Sequence, residues 1–152
     1  MVVLIILLAA AAVLVVYFVG IYNSLVAVRE RVRQAWANID VLLKQRHDEL
    51  PKLIETCKQY MQYEQETLEK VMRARGAVFA ASSGGNVAAL GAAEQQLRGD
   101  LGRLFAVAEN YPQLKTDESF RQLQQRITGL EEAIADRRGL YNDAVNINNT
   151  RI

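Results

Sequence analysis

The chain has a single histidine, His47, and a single cysteine, Cys57, the two side chains best suited to nucleophilic or metal chemistry. On a continuous helix the ten-residue step from one to the other rises roughly 15 Å at 1.5 Å per residue. That is too far for the imidazole to activate the thiol. A zinc site needs several Cys or His ligands, and a di-iron bundle needs two Glu-x-x-His motifs on facing helices. Neither can be assembled from one of each. Gly84-Gly85 lacks the lysine and the preceding strand of a phosphate-binding loop. Cys57 falls between Leu53 and Tyr60 on an apolar stripe and reads as a core thiol. The residues predict no catalytic, cofactor-binding or metal site, so this is not expected to be an enzyme.

Other residues could carry recognition. A turn near His47–Leu50 brings Arg46 and His47 beside Tyr111 and Leu114, an expected partner-docking tip of mixed charge with an aromatic and a leucine. Glu64 interrupts the apolar stripe of one helix and Arg137 that of another. Opposite charges at core positions suggest an ion pair that fixes the register of the bundle. Trp36 sits beside a core stripe, where it either fills a layer or anchors a partner helix.

The elements that position these residues are all helical. Leu25, Val28, Val32, Ala35, Ile39 and Leu42 recur at spacings of three and four. Leu53, Cys57, Tyr60, Glu64, Leu68 and Val71 continue the rhythm. Leu90, Leu97, Leu101, Leu104 and Ala108 form a third set, and Phe120, Leu123, Ile127, Leu130, Ile134 and Tyr141 a fourth. Ser82–Asn86 reads as a loop. Tyr111-Pro112 ends the third helix, and Thr116 or Asp117 can cap the fourth. Pro51 marks either a turn or a kink. A turn gives an up-down antiparallel four-helix bundle after an N-terminal transmembrane helix; a kink gives three helices with a long first one.

The charges lie entirely beyond residue 28: Met1–Val28 has no Asp, Glu, Lys or Arg. Val2–Tyr22 is an apolar run of about 21 residues, enough to span roughly 30 Å of hydrocarbon. No basic segment precedes it, which favours a retained anchor over a cleaved signal peptide. Residues 1–22 are thus expected to be a transmembrane anchor and 23–152 a soluble body. Arg29, Arg31 and Arg33 follow the run and place the body in the cytoplasm. Within the anchor, Ala9, Ala12 and Gly20 are expected oligomer contacts, because small residues let membrane helices approach closely. The formal net charge of +1 shows no basic excess of the kind a nucleic-acid binder carries.

Three stretches resemble the LemA family: Tyr22–Tyr60 (YNSLVAVRERVRQAWANIDVLLKQRHDELPKLIETCKQY), Leu104–Gln124 (LFAVAENYPQLKTDESFRQLQ) and Tyr141–Ile152 (YNDAVNINNTRI). The resemblance implies a helical bundle anchored in the bacterial cytoplasmic membrane. Family members usually continue past the last motif, which implies a longer protein. The resemblance brings no biochemical activity with it.

These readings converge on a membrane-tethered, non-catalytic scaffold that self-assembles. Its expected partners are the lipid bilayer, further copies of itself and another membrane protein, with no nucleic acid and no small-molecule substrate. The alternative is an accessory or regulatory subunit of a membrane enzyme such as a quality-control protease.

Overall fold

The computed structural model describes residues 1–151, with the side chains of Asn148 and Arg151 and all of Ile152 outside the described part. The described residues form five helices and no strand: α1 (Val2–Lys58), α2 (Gln65–Ser83), α3 (Val87–Ala108), α4 (Pro112–Thr116) and α5 (Glu118–Arg151). The all-α architecture follows from the period of the apolar residues. The chain divides into two units, Met1–Asn38 with Arg137–Ile152, and Ile39–Asp136.

The second unit is a bundle of four helical segments: 39–58 of α1, α2, α3 and 118–136 of α5. Its helices alternate in direction. Arg46 on α1 meets Glu131 on α5, while Tyr60, further along the chain from Arg46, meets Asp117 at the start of α5. The core is mainly apolar, with Leu50, Leu53, Cys57, Val71, Leu104, Leu114 and Ile127 all without exposed surface. Burying each leucine contributes about 1.5–3 kcal/mol, spread over all the helices, so no helix of the bundle is dispensable.

The expected turn at His47–Leu50 does not form. α1 passes through Pro51 and ends at Lys58. Proline lacks the N–H that would bond the carbonyl four residues back, and its ring pushes that carbonyl outward. The carbonyl belongs to His47, and Arg75 Nε on α2 donates to it at 2.8 Å. With the lost bond replaced from outside, the apolar stripe Ile39, Leu43, Leu50, Leu53 and Cys57 stays on one helix and fully inside.

The reversal comes instead at residues 59–64. Tightened bonds from Gln59 N to Thr56 O and from Tyr60 N to Cys57 O close α1, and Met61 plugs the end of the core at 2% exposure. The bundle therefore keeps four long helices, divided later than expected. The other boundaries follow their local chemistry. Gly85 takes φ +67° after α2, a region open to glycine at no steric cost. Asn86 caps α3 by accepting from Ala89 N at 3.1 Å. Pro112 opens α4, and Asp117 caps α5 by accepting from Phe120 N at 3.0 Å.

In the first unit the part of α1 that follows the apolar run touches α5. Trp36 and Tyr141 meet with ring centroids 5.5 Å apart, tilted by 55°, and Val28 is buried. Residues Val2–Tyr22 have no cover. α1 contains a window of mean hydropathy 3.2, none of it buried, long and apolar enough to cross a membrane.

Candidate functional site

The bundle of the second unit carries a charge cluster where only apolar groups are cheap to bury. Arg46 is 1% exposed. It occupies the α1 stripe between Leu43 and Leu50, so the continuous helix drives it inward. Its guanidinium holds Glu94 of α3 through both terminal nitrogens, one bond at 2.9 Å. It also donates to Glu131 Oε1 of α5 at 2.7 Å. One arginine thus ties three helices together at a single level. Burial alone would lower the Arg46 pKa, but the hydrogen bonds and charges of Glu94 and Glu131 outweigh it and hold the group above its ordinary value.

Two carboxylates share that one buried cation. The excess negative charge is met from the surface by Arg98, whose Nε stands 3.7 Å from Glu131 Oε2. That oxygen is buried and makes no hydrogen bond. Asp100, also buried, is held by Gln96 Nε2 at 3.3 and 3.2 Å. Such a cluster adds little net stability, since desolvation offsets the attraction. It does penalise every register in which Arg46 misses its partners.

The expected tip is dispersed. Arg46 lies inside the bundle because no turn forms at 47–50. His47 sits on its flank, stacked on Phe79 at 4.8 Å with planes 26° apart. Leu114 is fully buried by α4, which turns it into the core. Tyr111 alone stays near an end, half-buried, donating to Glu64 at 3.3 Å. Neither member of the expected core pair is fully buried. Glu64 is half-buried in the turn just before α2, and Arg137 is exposed on α5. The idea of a buried charge that sets register survives with other residues. The signal was present in the sequence: Arg46, Glu94 and Glu131 each stand three or four residues from apolar stripe positions on both sides.

Cys57 is fully buried and its thiol is pushed up to about 12 by burial, so it carries no thiolate at neutral pH. A cavity of about 660 Å³ between α1 and α2 is floored by Ile54, Met61, Leu68 and Met72. Its rim charges are already paired, Lys58 with Glu55 and Arg73 with Glu69. Among the described residues no three His, Cys, Asp or Glu side chains converge as a metal site requires. Ala9, Ala12 and Gly20 are exposed on α1, and a side chain at Gly20 would meet no neighbour beyond its own helix.

Among protein families, the model of the LemA family matches residues 35–152. No curated protein matches the sequence.

Proposed function

We propose that this chain, which belongs to the LemA family, is a membrane-tethered, non-catalytic interaction module that self-assembles. Residues 1–22 act as the anchor and residues 23–152 as the soluble body. The observation that carries this reading is the uncovered apolar start of α1, with none of its most apolar window buried. An exposed surface of that size is untenable in water and suited to hydrocarbon. The LemA family is not known as an enzyme family, and the buried Cys57 and the ring-stacked His47 supply no reactive pair.

Arg29, Arg31 and Arg33 beyond the anchor favour a body on the cytoplasmic face of a bacterial inner membrane. A cysteine placed at Ser83 in a Cys57→Ser background should then resist impermeant thiol reagents in intact cells; ready labelling would reverse the orientation. Ala9, Ala12 and Gly20 supply the small surface along which anchors pack.

Native mass spectrometry of the full chain from mild detergent tests the assembly. A defined homo-oligomer, weakened by Ala9→Leu with Ala12→Leu, supports it. A monomer in several detergents and in nanodiscs contradicts it, and a stoichiometric catalytic partner would make the chain an accessory subunit of a membrane enzyme.

A further inference from the structure

One end of the second unit, built by the 59–64 turn and the 109–117 connection, holds residues that neither the buried charges nor the anchor uses. Tyr60 and Tyr111 line an open cavity of about 380 Å³ with Asn110, Pro112 and Gln113. Each phenol donates to a carboxylate, Tyr60 to Asp117 at 2.8 Å and Tyr111 to Glu64 at 3.3 Å. Tyr63, in the same turn, stands 92% exposed.

No charged side chain lines the cavity itself, and its charge comes from the two carboxylates that accept from its phenols. Glu109 is taken by Lys115 and Glu66 by Lys70. Glu64, Asp117 and Glu118 have no ion pair among the described residues. The two phenols sharpen the effect. A hydroxyl that donates to a carboxylate leaves its ring richer in electrons, and the face of such a ring attracts a cation. The same hydrogen bonds fix both rings, so little order remains to be imposed on binding. The carboxylates are spent on separate phenols and do not converge, which disfavours a bare metal ion and favours a cation with an organic body.

We infer that this cavity receives a lysine or arginine side chain from a basic segment of a partner protein. The Tyr60 and Tyr111 rings pack on its alkyl or guanidinium part, and Asp117 and Glu64 offset its charge. The inference adds a ligand chemistry to the interaction module proposed above. Anchoring and self-assembly are scored by extraction and mass, so either reading can fail without the other.

The test uses the full chain in zwitterionic detergent, labelled with ¹³C on the tyrosine rings and titrated with acetyl-tetralysine amide, acetyl-tetraarginine amide and a tetraglutamate control. The Tyr60 and Tyr111 resonances should shift saturably with the basic peptides only, and less so as salt is raised. Tyr60→Leu with Tyr111→Leu should weaken binding roughly tenfold, while Tyr60→Phe with Tyr111→Phe, which keeps both rings, should lose much less. Glu64→Gln with Asp117→Asn should also weaken it; asparagine still caps α5, so this pair carries the test if the leucine variant loses helix. The inference is overturned by equal response to the acidic peptide, by no saturable shift at millimolar peptide, or by unchanged binding in the charge-neutral pair.

Discussion

Arg75 Nε of α2 donates at 2.8 Å to the carbonyl oxygen of His47 on α1, the carbonyl that Pro51 deprives of its helical partner. A proline in mid-helix and an arginine on the neighbouring helix thus form one unit. Arg75→Leu should leave a part-buried carbonyl unsatisfied, at a cost of about 1–3 kcal/mol. Pro51→Ala restores the N–H, so Arg75→Leu should cost clearly less in that background. Urea unfolding of the four proteins, followed by helical circular dichroism in detergent, gives the coupling. Additive effects would show that the arginine does not serve the proline.

The Arg46 cluster makes a prediction of opposite character for single and multiple changes. Arg46→Met alone strands Glu94 and Glu131 inside the bundle and should cost about 3–5 kcal/mol. Arg46→Met with Glu94→Leu and Glu131→Leu removes every buried charge of the group together. That triple variant should recover most of the loss, measured by the same unfolding transition. A triple variant no more stable than the single one would mean that the cluster is a net source of stability.

His47 gives the bundle a dependence on pH. Burial first, and the nearby Arg75 charge second, lower its pKa from the ordinary 6.5, against a smaller upward pull from Asp48. The folded state therefore favours the neutral ring. Below pH 6.5 the unfolded chain takes up the proton first, so this contribution is full above that value. It is lost as pH falls through the folded-state pKa. As the chain has no other histidine, His47→Gln should flatten the unfolding free energy between about pH 7 and about pH 5.5. An unchanged slope in the variant would assign the effect elsewhere.

What could be read in advance, and what could not, divides along local and distant causes. The break at 84–86 and the Asp117 cap are local, and both fall where the sequence marks them, whereas Tyr111-Pro112, read as the end of the third helix, opens the short α4 after α3 has ended at Ala108. Pro51 misleads because its remedy, Arg75, lies 28 residues from the His47 carbonyl it serves and leaves no mark near the proline. The true turn at 59–64 contains no glycine or proline, and Tyr60 and Glu64 carry the helical rhythm across it. That false continuity also placed Glu64 in a core stripe. Arg46 was legible as a charge on an apolar face; the turn expected at 47–50 moved it to a tip.

The central claim is that the uncovered start of α1 lies in a bilayer, and alkaline carbonate extraction tests it most directly. Full-length chain should remain with the membrane pellet. Leu8→Arg with Leu14→Arg, each placing a charge in the span at about 2.5–3.5 kcal/mol by insertion scales, should move it to the supernatant. Release of the unaltered chain by carbonate would contradict the account.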